Sequence, residues 1–185
     1  MKKLDFLTRS QIQVLHDLKS DRNAQRVLKQ MEEYVSCFRD GENVYYLNAK
    51  GRQLVGCNKV RKKNTNVLHY IMRNYIYIAF GAPETWRNEI RIKNGTNRRD
   101  MITVIADALF KMDGRYHVVE VDNEQHMKKN ATKMEKYRRL IERGAFGSNP
   151  PVFVWITKTE YRREAIKKLC EGLEHYVFTL ADFNA

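Results

Sequence analysis

The run PVFVWIT, residues 151–157, is apolar at every position before its closing threonine, the pattern of a strand buried on both faces rather than one facing water. Such a strand needs neighbours on either side and cover above and below, so the surrounding chain is expected to be α/β, and the whole chain α+β overall. The neighbouring segments supply both. TVIADALFKMDGRYHVVEVDNE reads as two strands joined at Met112-Asp113-Gly114-Arg115, because Asp-Gly between β-prone runs is a hairpin signal. A buried aromatic helix is expected over NVLHYIMRNYIYIAFG, a second helix from about Lys128 to Glu142, a third over Glu160–Leu173, and a short strand at His175–Thr179. This order predicts a central mixed sheet with helices on both faces. Tyr70, Tyr75, Tyr77 and Phe80 lie in the apolar run and read as core rather than as a base-stacking platform.

The N-terminal third follows another pattern. Thr8 precedes Gln11, Ile12, Leu15 and Leu18, which predicts an amphipathic helix opened by a capping box of Thr8 and Gln11. After a break at Lys19-Ser20-Asp21, the segment RNAQRVLKQMEEY repeats Ala24, Val27, Leu28, Met31 and Tyr34 at helical spacing. Strands come next at Val35–Arg39 and Val44–Leu47, with a turn at Asp40–Asn43 between them, and then a last short helix from Asn48. Helix, turn, helix and two-stranded wing is the layout of a winged helix. Its second helix exposes Arg22, Asn23, Gln25, Arg26 and Lys29 together; Arg, Asn and Gln suit base edges and Lys suits phosphate. Too few residues precede the first helix for a leading helix, so its apolar surface needs cover from a second domain or a partner subunit.

Charge supports the same division. The 185 residues carry 34 Lys and Arg against 22 Asp and Glu, net +12, and residues 1–63 alone account for +7. Together with Lys50, Arg52, Arg61, Lys62 and Lys63, the helix face forms a basic surface suited to a polyanion such as double-stranded DNA. The run at 59–66 has no apolar period and reads as a linker between a winged-helix domain, 1–58, and a second domain, 67–185. No stretch approaches the roughly 20 apolar residues of a membrane span, and MKKLDFLTRSQ lacks the apolar core of a signal peptide, so a soluble cytoplasmic protein is expected. Cys37, Cys57 and Cys170 are too far apart for a CxxC pair and read as reduced thiols; the five histidines show no zinc spacing, and no glycine-rich phosphate loop occurs.

In the second domain Asp107 falls on the first strand of the hairpin, and Glu120 and Asp122 lie two apart on the second, facing one way. Converging carboxylates repel unless a cation compensates, and Mg²⁺ or Mn²⁺ is the usual agent. Glu89 is a further candidate ligand, and Lys133 on the next helix a candidate to assist phosphodiester cleavage. Ordinary salt bridges are the competing reading.

Leu7-Thr8, Gln11-Ile12, Asn23 to Leu28 and the wing VYYLNAKGRQLVG make residues 7–56 resemble the winged helix of the replication-relaxation family of plasmids, phages and integrative elements. Residues 86–137, with WRNE, ADALF, EVD, Lys133 and Tyr137, are similar to that family's second domain, which in turn resembles the PD-(D/E)XK nuclease fold. The resemblance implies a catalytic set of Asp107, Glu120 and Lys133, and the converging carboxylates Glu89, Asp107, Glu120 and Asp122 remain the candidate metal ligands. The chain departs from the motif twice: Ala106 stands where the proline is expected, and Asp122 where the lysine is expected. Two functions are therefore implied. One is a DNA-binding protein of a mobile element, serving replication or mobilisation, with a degenerate nuclease-like domain and a homodimer or a replication or conjugation protein as partner. The other is an active Mg²⁺- or Mn²⁺-dependent endonuclease or nickase using Glu89, Asp107, Glu120 and Lys133.

Overall fold

In the computed structural model, which describes residues 1–64, 66–123 and 125–183, the chain divides into one unit from Met1 to Ala79 and a second from Phe80 onward. The first unit runs β1 (Leu7–Thr8), α1 (Arg9–Leu15), α2 (Asp21–Gln30), β2 (Val35–Asp40), β3 (Glu42–Leu47), α3 (Ala49–Leu54) and α4 (Val67–Ala79). The capping box at α1 forms as its residues dictate: Thr8 Oγ1 accepts from Gln11 N at 3.1 Å, and Gln11 Oε1 accepts from Thr8 N at 3.3 Å. Ser20 caps α2, and the helix ends at Gln30, four residues short of the apolar repeat that continues to Tyr34. Strands β2 and β3 pair from Val35↔Leu47 to Asp40↔Glu42, so the expected four-residue turn narrows to Gly41, whose φ of +71° suits glycine. With β1 on the outer edge of β3 they make a sheet of order β1-β3-β2.

The cover for the first helix comes from α4. Phe6, Val44, Val67 and Ile71 form one buried cluster, and Gln11 Nε2 donates to Ile71 O at 2.9 Å. Asn74 Nδ2 donates to the carbonyls of Leu4 and Phe6, and the fully buried Arg73 pairs with Asp5 at 2.9 Å. Arg61 also clasps Asp5, its Nε at 2.9 Å. The expected boundary at 59–66 therefore lies inside the first unit, because both Arg61 and the helix after it are tied to the N-terminus. Thr65 of that expected linker lies outside the described residues. Tyr70 packs on Phe6 at 5.5 Å, in keeping with its reading as core.

The second unit runs β4 (Arg87–Asn94), β5 (Ile102–Met112), β6 (Arg115–Asp122), α5 (Met127–Glu142), β7 (Val152–Thr157), α6 (Glu160–Leu169) and β8 (His175–Thr179), with a 3-10 turn at Leu180–Phe183. Strand order follows the chain, β4-β5-β6-β7-β8; the first three strands are antiparallel and the last two pairings parallel. The hairpin turns on Asp113 and Gly114, both at positive φ, which matches the right-handed twist of its strands. Every residue of β7 is buried. Both parallel connections pass over the same face, as right-handed crossovers in one direction require. Met134, Tyr137 and Leu140 of α5 thus share a core with Ile166 of α6 and Cys170 at its C-terminal cap, over Val118, Phe153 and Trp155. Within this unit α5 and α6 lie on one face of the sheet. On the other face Val119, Val121, Val154 and Ile156 are buried too. The three cysteines are free thiols, and burial pushes Cys170 up to about 12. Among the described residues no helix is long and apolar enough to cross a membrane.

Candidate functional site

The carboxylates singled out in the sequence meet where the sheet forks. Strand β5 pairs with β6 only from Ala108↔Val119 to Met112↔Arg115, yet it stays with β4 back to Ile102, while β6 stays with β7 on to Asp122. At the crotch the side chain of Asp107 takes over from the backbone: its Oδ2 accepts from Val121 N at 2.8 Å. Strand β5 also changes face here. Ile102, Val104 and Ala106 lie in the core beneath α5, Leu109 packs against that same core, and Phe110 stacks on His117 and Trp86 instead. Ala106 and Leu109 are three positions apart, so strict alternation slips once between them. The flanking pairs put Glu89, at φ +54°, across from Asp107.

Glu120 lies beside this crotch, 1% exposed. Lys133 Nζ donates to its Oε2, and the buried Tyr137 hydroxyl donates to its Oε1 at 2.5 Å. The two donors sit one turn apart on α5 and so reach the same carboxylate. Burial, followed by repulsion from Asp107, pushes the Glu120 carboxyl well above its ordinary range, with Lys133 and Tyr137 opposing. Burial and then the neighbouring Glu120 charge push the Tyr137 hydroxyl up. Asp122 is held by another group: Arg162 Nε and Nη2 at 2.5 and 2.7 Å, Asn130 Nδ2 at 2.8 Å and Thr157 Oγ1 at 2.8 Å. Burial alone raises its pKa, but these donors prevail and its carboxyl sits below the usual value.

This arrangement decides how the expected metal set fits. Both oxygens of Glu120 and both of Asp122 already accept from protein donors, and Glu89 is exposed on the edge strand. Among the described residues no three His, Cys, Asp or Glu side chains lie where they could hold one ion. Glu89, Asp107, Glu120 and Asp122 therefore do not fit Mg²⁺ or Mn²⁺ as arranged. The repulsion that a metal would relieve is relieved by Lys133 and Arg162. Asp107, Glu120 and Lys133 do come together as the resemblance implied, with Tyr137 as a fourth member. Arg162, Asn130 and Thr157 were not legible as partners of Asp122, because they come from three other elements with no local spacing to link them. The one available hint was Asn130, a polar residue on the apolar stripe of α5.

In the first unit, α2 buries Ala24 and Leu28 and leaves Arg22, Gln25, Arg26 and Lys29 exposed. Asn23 is partly withdrawn from that face: its Nδ2 caps the carbonyl of Leu18 at 2.9 Å, and its Oδ1 accepts from Arg26 Nη2 at 2.9 Å. Lys50 pairs with Glu33 at 2.7 Å on the surface, and Arg52 is half-buried in α3. Arg61 is bound to Asp5 and lies 5.3 Å from the Tyr70 ring, which makes it a structural clamp. Lys62 is exposed, and Lys63 lies 5.2 Å from the Phe38 ring.

Comparison with known proteins adds one firm finding. The family model described as Replication-relaxation matches residues 1–154. No curated protein matches. A solved structure, protein VC1899 from Vibrio cholerae, aligns with 86% of this chain at 12% identity and a TM-score of 0.41; the chain spans 40% of that protein's length.

Proposed function

The chain belongs to the replication-relaxation family, and from that premise we propose that it is a DNA-binding protein of a mobile genetic element, acting in the element's replication or mobilisation. In this reading the first unit is a winged helix, α2 its recognition helix and the β2–β3 hairpin its wing. The observation that carries it is the exposed face of α2. Arg22, Gln25, Arg26 and Lys29 face solvent on one side of a helix whose other side is fixed in the core. Side chains of this kind on a rigid support suit base edges and phosphates of a duplex. The second unit is read as a nuclease-like scaffold in which protein cations neutralise the acidic residues.

Fluorescence anisotropy with duplex DNA at two salt concentrations tests this. Binding should weaken steeply with salt, and Arg26→Ala should cost about 1–3 kcal/mol if that side chain reads a base. Binding no steeper in salt than that of an uncharged control would remove the proposal's basis.

The fork with Asp107, Glu120 and Lys133 is the one feature that favours metal-dependent cleavage instead. Against it stands the donor set, whose buried carboxylates are already satisfied. Incubation with supercoiled plasmid and Mn²⁺ separates the two: the scaffold reading expects no nicking that depends on Asp107.

A further inference from the structure

The second unit has a basic surface that the α2 reading does not use. Between β5 and the exposed side of α5 lies an open groove of about 800 Å³, lined on the β5 side by the exposed Ile105 and rimmed by Lys128, Lys129, Lys133 and Lys136. Lys133 is engaged with Glu120. Lys128, Lys129 and Lys136 are exposed, make no ion pair among the described residues, and no described residue lining the groove is acidic. Ile105 is 47% exposed, so the β5 side offers an apolar side chain to whatever lies in the groove. From Lys128 to Lys136 the rim extends about 12 Å along the helix.

We propose that this groove binds the backbone of a single nucleic-acid strand, its phosphates on the lysine rim and its sugars and bases toward Ile105. Charge complementarity selects a polyanion. The exposed Ile105 selects one strand: an apolar side chain beside the lysines meets bases only where they are unpaired, since the bases of a duplex are stacked and paired within it. A cationic groove that tracks the backbone is one part of sequence-tolerant strand binding; here the exposed Ile105, rather than an aromatic ring, lies beside it. The site is independent of α2, so each reading can fail without the other.

The test uses the full chain, a labelled single-stranded DNA of mixed sequence and the matching duplex, by anisotropy across a salt series. The variant K128A/K129A/K136A changes only exposed side chains. It is expected to weaken single-strand binding at least about tenfold and to flatten its salt slope by about 2, since each phosphate contact on a single strand contributes about 0.7. K128R/K129R/K136R should retain binding, and R22A/R26A should leave single-strand binding unchanged while weakening the duplex. The proposal is overturned if the wild-type chain does not bind the single strand, if the lysine variant keeps its salt slope, if R22A/R26A lowers single-strand binding as much, or if the lysine variant loses only duplex binding.

Discussion

Lys133→Met tests the idea that protein cations, rather than a metal, neutralise the acidic residues of the fork. Removing one partner of a buried pair typically costs about 3–5 kcal/mol, because the other charge is left uncompensated. Lys133 keeps 22% of its side chain exposed, so water screens part of the interaction and about 2–4 kcal/mol is expected at pH 7. The penalty should depend on pH in a definite direction. Burial, and then Asp107, hold Glu120 above its ordinary range in the folded protein. A carboxyl raised in this way favours the fold fully below its unfolded value of about 4.3 and loses that contribution as pH rises through the folded value. In Lys133→Met the folded value climbs further, and Glu120 takes up a proton with less cost at pH 5 than at pH 7. The destabilisation should therefore shrink on acidification. Urea unfolding monitored by tryptophan fluorescence reads this unit selectively, because the two tryptophans, Trp86 and Trp155, both lie in it. A penalty below about 0.5 kcal/mol at pH 7, or one equal at both pH values, would refute the reasoning.

Asp5→Ala should destabilise the first unit by about 3–5 kcal/mol, because Arg73 is fully buried and loses its carboxylate; thermal unfolding monitored by circular dichroism measures it. Gly51→Ala should also destabilise that unit, by about 1–3 kcal/mol or more, since a β-carbon there would stand 2.0 Å from the Tyr34 carbonyl oxygen. The same melting experiment decides it, and an unchanged midpoint would show that the α3–Tyr34 contact yields. Supercoiled plasmid incubated with Mn²⁺ should remain supercoiled; nicking that disappears in Asp107→Ala would contradict the scaffold reading and restore the enzymatic one.

Local signals were legible in the sequence where one stretch of chain decides its own structure. The Thr8–Gln11 capping box, the Asp113-Gly114 hairpin and the unbroken apolar run of β7 all appear where their residues place them. What the sequence hid depends on distant partners. Arg61 reads as one more linker cation until Asp5 is brought beside it across 56 residues. The helix Val67–Ala79 looks like the start of the second domain because it is as apolar as the strands of that domain, yet Gln11, Asp5 and Phe6 bind it into the first unit. Asp107 and Glu120 were identified as a pair, but not the slip in alternation that seats Asp107 at the fork, since a single-residue change of face leaves no mark on composition. Asp122, standing where the motif has lysine, reads as a metal ligand or a defect. The structure gives it Arg162 from α6, and an internal ion pair takes the place that spacing had assigned to a cation from solution.

Whether the exposed side of α2 meets duplex DNA is the central question for this protein. The most direct measurement is the salt dependence of duplex binding by the full chain and by R22A/R26A, with circular dichroism establishing that both are folded. The wild-type chain is expected to bind with a steep salt slope, and the variant to bind more weakly, with a slope shallower by about 2 if both arginines meet phosphates. Equal affinity and equal slope in the two proteins would contradict a DNA-binding role for this helix.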